Sequence, residues 1–258
     1  MSAPVTLVTG GSRGIGAATA ILLAKRGSDI AINFRSKEAR ARDVASSVAE
    51  LDRRCLIVQA DLTVPDQIAA LTERVRSEFG RVDHLILNAA GGLERDRDES
   101  YAFALNVTAN DRLVDTLLPI MPAGGSVVFV TSHPSHFFGR LPIMAGYERV
   151  ASTKKAAEDM LRGRIGELSA AGIRLAVVSG DLIEGTINAK LMQREYPGLL
   201  ADRAREVGSL PTVDEFSEAI VGAALDGNLE TGATVLVGST SWETYRALTD
   251  RERSDSTT

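Results

Sequence analysis

The chain reads as an α/β protein, a single domain built on a doubly wound parallel sheet of about seven strands with helices on both faces. Three observations predict this. Short apolar runs, several rich in valine and isoleucine, alternate with stretches of helical periodicity along the chain. The runs are apolar throughout rather than alternating with polar residues, as burial on both faces of a sheet requires. Finally, 258 residues with 44% hydrophobic and 24% charged content suffice for one large core and do not call for two.

The strand candidates are VTLVTG (5–10), DIAINF (29–34), CLIVQAD (55–61), VDHLILNAA (82–90), GSVVFVTS (125–132), IRLAVVSG (173–180) and TVLVG (234–238). Helical patterns fill the intervals at 15–26, 36–51, 64–79, 100–121, 144–170 and 213–225. In the second, Ala41, Val44, Ala45, Val48 and Leu51 fall on one helical face. Such alternation implies right-handed strand–helix–strand units. No internal repeat or linker interrupts it. Residues 1–250 are therefore expected to form one domain, with 186–209 as a helical lid and 251–258 as a polar tail.

The net charge of −5 and the dispersal of basic residues among acids argue against a nucleic-acid partner. No apolar run approaches the ~18–20 residues that span a bilayer, so no membrane partner is expected. The first residues lack the pattern of a secretory signal, which makes a cytoplasmic location the expectation. The single cysteine, Cys55, has no partner for an internal disulfide and reads as a small hydrophobe in a strand.

In VTLVTGGSRGIGAATA, Gly10, Gly14 and Gly16 lie between the first strand and the first helix, with Ser12, Arg13 and Ile15 completing the loop. Gly10 permits the turn, Gly14 allows close approach of a pyrophosphate, and Gly16 lets helix pack on strand. The helix N-terminus then offers unpaired N–H groups to the anion. At the end of the second strand, INFRSKEA carries no carboxylate to accept from ribose hydroxyls. It carries Arg35, Ser36 and Lys37 instead, and Arg13 adds a further cation. Guanidinium and ammonium groups suit a 2′-phosphate, so NADP(H) is the expected cofactor.

Thr9, Gly10, Gly14 and Gly16 match T-G-x-x-x-G-x-G, and the chain from about residue 4 to 238 resembles the short-chain dehydrogenase/reductase superfamily. The resemblance implies a Rossmann fold and nicotinamide-dependent oxidoreduction. Residue by residue, it implies that Asn88 and Ala89 of NAAG (88–91) stabilise the sheet and border the adenosine. Asp61, followed by Leu62, would bond the adenine amino group. Asn106 would support a proton-relay water, and Ser132 would polarise the substrate carbonyl. Gly180, Ile183 and Thr186 would lie near the nicotinamide carboxamide. The resemblance also implies a homodimer or homotetramer, and no metal site is expected.

The family's tyrosine stands four residues before its lysine. Here AGYERVASTKKAAEDM places Tyr147 seven residues before Lys154 and eight before Lys155. Seven residues return to the same helix face but ~10.5 Å along the axis, against ~6 Å for four. Lys154 shares the Tyr147 face and is the expected ribose anchor. Three accounts of the proton donor stand open. The helix starts late near Gly146 and Tyr147 swings back; His133 or His136 donates instead; or water or a substrate hydroxyl does so. Atypical ketoreductases of the superfamily, some acting on aromatic polyketides, depart from the tyrosine pattern, and this chain resembles them.

Leu191, Met192, Tyr196 and Leu199 in the lid suggest an apolar ligand, while Asp181 and Glu184 read as solvated loop acids. The expected activity is NADPH-dependent reduction of a bulky apolar ketone, or the reverse oxidation of the alcohol. A non-catalytic NADP(H) redox sensor, or a dehydratase or epimerase on the same scaffold, are the alternatives.

Overall fold

A computed structural model describes residues 3–93, 98–141, 143–244 and 246; the tail at 251–258 lies outside them. Strands β1 (Val5–Val8), β2 (Asp29–Phe34), β3 (Cys55–Gln59), β4 (His84–Leu87), β5 (Ser126–Ser132), β6 (Arg174–Gly180) and β7 (Ala233–Val237) form one parallel sheet in the order β3-β2-β1-β4-β5-β6-β7. The order reverses between β1 and β4, and doubly wound sheets open a crevice at that point.

Each central strand divides its apolar residues between two cores. Leu7, Leu85, Leu87, Val127, Phe129, Leu175 and Val177 face helices α3 (Pro65–Phe79), α5 (Ala109–Leu117), α7 (Glu148–Gly163) and α8 (Ile165–Ala170). Val8, Ile86, Val128, Val130, Ala176 and Val178 face α1 (Gly14–Lys25), α2 (Glu38–Ala49) and α11 (Val213–Leu225). Period-two geometry with both faces buried is why these strands read as unbroken apolar runs. On α2, the expected apolar face buries Ala41, Val44 and Val48.

Two expected helices are interrupted. The 100–121 pattern divides into α4 (Glu99–Phe103), a π-turn at Ala104–Thr108, α5, and a 3₁₀ turn at Leu118–Ile120. The 144–170 pattern opens with a 3₁₀ turn at Ala145–Tyr147 and breaks between α7 and α8 at Arg164. Arg164 reaches across to Asp111 and Asp115 of α5 and to Glu167. A four-residue helix, α6 (His133–His136), follows β5 directly. The segment 186–209, expected to be a lid, contains two helices, α9 (Ile187–Glu195) and α10 (Leu199–Val207). Among the described residues, no helix is long and apolar enough to cross a membrane.

Candidate active site

A cleft of about 650 Å³ runs along the carboxyl edge of the sheet, from the ends of β2 and β3 across the reversal point to the ends of β5 and β6. The turn at its centre is locked by two residues. Thr9 Oγ1 donates to the Ile86 carbonyl and accepts from the amides of Asn88 and Ala89, while Asn88 Nδ2 donates to the Thr9 carbonyl at 2.8 Å. A methyl group on Gly16 would stand 2.5 Å from the Gly10 carbonyl oxygen, so only glycine lets α1 approach β1 this closely. Gly14 differs. Its φ is +54°, and a Cβ there would meet nothing within 4 Å, because the position opens on the cleft.

Helix α1 has no side-chain cap and no acidic residue in its first turn. Its leading amides therefore face the cleft as uncompensated donors, the arrangement that receives an anion. Gly10, Ser12, Arg13, Gly14, Ile15 and Gly16 all line this part. Arg35, Ser36 and Lys37 line it beyond β2, with Arg40 from α2. The Arg35 guanidinium bonds the Tyr101 hydroxyl and lies 5.7 Å from the centre of its ring. Tyr101 on α4 and Arg40 on α2 are cleft residues that the sequence did not single out. The residues present fit a phosphorylated dinucleotide: a glycine cradle, free amides and converging cations.

Asp61, Leu62, Asn88 and Ala89 line the same end. Asp61 Oδ1 accepts from the Thr63 amide and hydroxyl. At the far end stand Gly180, Ile183 and Thr186. Thr186 caps α9 by accepting from the Ala189 amide, and its hydroxyl donates to the Ile183 carbonyl at 2.9 Å. Gly180 is held against Phe216, whose ring a Cβ would meet at 2.6 Å.

Ser132, Tyr147 and Lys154 line the middle of the cleft. Because α7 begins at Glu148, Tyr147 sits on the preceding 3₁₀ turn, and its hydroxyl comes 2.9 Å from Ser132 Oγ. Burial raises the Tyr147 pKa, and hydrogen bonds from the Ser132 and Ser135 hydroxyls oppose that rise. Lys154 is buried, which lowers its ammonium pKa to about 8. Lys155 points away and pairs with Asp159. Neither histidine lines the cleft. His133 is fully buried, donating to or accepting from Ser179 Oγ at 2.8 Å, and burial lowers its pKa to about 4. His136 Nδ1 meets the buried Glu158 carboxylate at 2.9 Å. Glu158 also accepts from Arg162, which reaches the Gly232 carbonyl and Thr234 and so ties α6 and α7 to β7.

Asn106 lies in the π-turn, buried behind the cleft wall. Its amide exchanges hydrogen bonds with both backbone groups of Gly91 and donates to Thr153 Oγ1, one residue before Lys154. Such widened turns recur at functional sites.

Two expectations need correction. Asp181 is not a solvated loop acid: it lines the cleft but its side chain is buried against Arg203 of α10 at 2.8 Å. Of the four apolar lid residues, Met192 alone lines the cleft; Leu191 is exposed, while Tyr196 and Leu199 join the core beneath the lid.

Comparison with known proteins places this geometry. The short chain dehydrogenase family profile matches residues 4–196. The 1-cyclohexenylcarbonyl-CoA reductase of Streptomyces collinus is 29% identical over 247 residues, covering 90% of this chain and 85% of the relative. A short chain dehydrogenase from Burkholderia cenocepacia, solved with NADP, superposes with a TM-score of 0.78 at 26% identity, covering 91% of this chain and 96% of the other. L-sorbose reductase from Gluconobacter frateurii, solved with NADPH and L-sorbose, gives 0.78 at 26% identity, with 92% and 96% covered. The fold, the glycine turn and the profile match agree, and the chain belongs to the short chain dehydrogenase family.

Proposed function

We propose that the protein is an NADP(H)-dependent ketoreductase acting on a bulky apolar ketone. The observation that carries this reading is the 2.9 Å contact between Ser132 Oγ and the Tyr147 hydroxyl, in the cleft whose other end holds the glycine turn and Arg35. Two solved relatives bind NADP or NADPH, which supports the choice of cofactor.

When bound, the nicotinamide supplies the hydride. The chain supplies the rest. The Ser132 and Tyr147 hydroxyls donate to the carbonyl oxygen, and Tyr147 gives its proton to that oxygen as negative charge develops there. Lys154 holds the cofactor ribose from the buried side of the cleft. Pro134, Leu182, Ile187 and Met192 offer an apolar wall to the substrate.

Calorimetric titration with NADPH, NADP⁺ and NADH, followed by an absorbance assay against a panel of aryl and alkyl ketones, tests the proposal. NADPH is expected to bind more tightly, and turnover is expected to vanish in Tyr147→Phe. Binding of both coenzyme forms with no turnover on the panel would instead indicate a sensor, and undiminished reduction by Tyr147→Phe would remove Tyr147 as donor.

A further inference from the structure

A second serine stands behind the first. Ser135, on α6, is fully buried and lies outside the cleft lining. Its Oγ is 2.8 Å from Ser132 Oγ, which is itself 2.9 Å from the Tyr147 hydroxyl. Three hydroxyls thus run from the interior to the cleft. The Glu158 bridge from His136 to Arg162 holds α6 against α7, so the spacing of this chain is set by packing and not by a mobile loop.

The proton count assigns a direction. Ser132 has one O–H and two lone pairs. If its proton is to reach a substrate oxygen, its contact with Ser135 must be one it accepts. The Ser135 proton then has Ser132 Oγ as its partner. Chains of this kind polarise one another in a low-dielectric interior.

We propose that Ser135 is a positioning residue: its hydroxyl donates to Ser132, directs the Ser132 proton into the cleft, and supports the negative charge left on Tyr147. This rests on the reading of Tyr147 as proton donor. In that step the Tyr147 O–H bond breaks and the substrate O–H bond forms. The charge stays on the phenolate oxygen, 2.9 Å from Ser132 Oγ, whose proton turns to it once the substrate oxygen carries the tyrosine's proton, and solvent returns the proton after the product leaves.

Other ionisable groups surround Tyr147. Lys154 lies on α7, the helix that begins just after Tyr147. Asp181, after β6, is paired with Arg203 of α10. Lys190 and Glu195 lie on α9 and Tyr196 follows it, its hydroxyl accepting from the Gly146 amide. On α6, His133 meets Ser179, and His136 meets Glu158 of α7. Among the described residues, the Ser132 hydroxyl bonds the Tyr147 phenol directly, and Ser135 stands behind it, bonded to Ser132.

The test is Ser135→Ala, with Tyr147→Phe and Ser135→Thr alongside. In Ser135→Ala, kcat is expected to fall about three- to tenfold, as for loss of one neutral hydrogen bond, with KM unchanged. The near-ultraviolet tyrosinate signal that disappears in Tyr147→Phe should titrate at higher pH, and the alkaline limb of the reduction profile should move with it. Ser135→Thr, which restores a hydroxyl, should reverse both shifts. An unmoved tyrosinate titration and pH profile overturn the inference, as does a fall confined to KM or to thermal stability. If Tyr147→Phe is inactive while Ser135→Ala is silent, this inference alone fails. If Tyr147→Phe retains full turnover, the proton-donor reading fails and takes the inference with it.

Discussion

Arg203 of α10 and Asp181 at the end of β6 form an ion pair with both side chains at 0% exposure, 2.8 Å apart. Arg203 also bonds Glu206 and the Ser239 carbonyl. Glu206 in turn accepts from Ser241 and from the amide and hydroxyl of Thr244. One turn of α10 is thereby fastened both to the end of β6 and to the C-terminal segment. Removing one member strands a buried charge. Arg203→Met should therefore lower the unfolding free energy by about 3–5 kcal/mol in urea denaturation. The double variant Arg203→Met with Asp181→Asn should recover much of that loss, because it leaves no unpaired charge on the sheet side.

The same fastening is acid-sensitive. Burial alone would raise the Glu206 pKa, but the Ser241 and Thr244 hydroxyls, the Thr244 amide and Arg203 outweigh it and hold the carboxyl at about 2. A carboxyl lowered on folding contributes stability above its unfolded pKa and loses it as pH falls through the folded value. Stability should therefore decline between about pH 4 and 2, and Glu206→Gln should flatten that slope in acid-denaturation curves.

Lys154 behaves in the opposite sense. Burial depresses its pKa from 10.5 to about 8, so between those values the unfolded chain binds more protons and stability rises with pH. Lys154→Met should remove this slope and stabilise the protein at neutral pH by up to about 3 kcal/mol while abolishing turnover. Thermal melts from pH 7 to 11, with assays in parallel, would show whether the cation is retained for chemistry at the expense of the fold.

The glycines of the turn separate folding from binding. Gly14→Ala adds a methyl group in open space at φ +54°, a strain of about 1–2 kcal/mol, and should leave a folded protein that no longer takes up NADPH. Gly16→Ala drives the methyl group into the Gly10 carbonyl at 2.5 Å and should destabilise the fold itself. Melting temperature and calorimetric affinity, measured on both, distinguish the two outcomes.

Arg35 is the expected contact for a 2′-phosphate. Arg35→Ala should weaken NADPH about 10- to 100-fold, the loss typical of a charged hydrogen bond, and leave NADH nearly unaffected. Equal weakening of both coenzymes would assign the guanidinium to packing on Tyr101 alone.

The fold was legible because its central strands are buried on both faces, which prints unbroken apolar runs such as SVVFV at 126–130. The glycine turn was legible because each glycine answers to a local constraint. The tyrosine was harder. The seven-residue interval implied a displacement of one turn only on the premise that Tyr147 is already helical, and α7 begins one residue later. Of Lys154 and Lys155, helical phase picks out the one that lines the cleft, since only Lys154 shares the buried face. Asp181 was misread because its partner lies 22 residues away on the lid, and a loop carboxylate without a local partner looks solvated. Ser135 was passed over because its contact with Ser132, three residues earlier, arises only when a short helix follows β5 directly.

The clasp of Asn106 on Gly91 and Thr153 joins the exit of β4, the π-turn and the first turns of α7 at one side chain. An Asn106→Ala variant removes a partner of Thr153, the residue before Lys154, without touching the cleft lining. Impaired catalysis in such a variant would thus measure how accurately the lysine is delivered, and would be no proof that the amide itself handles protons.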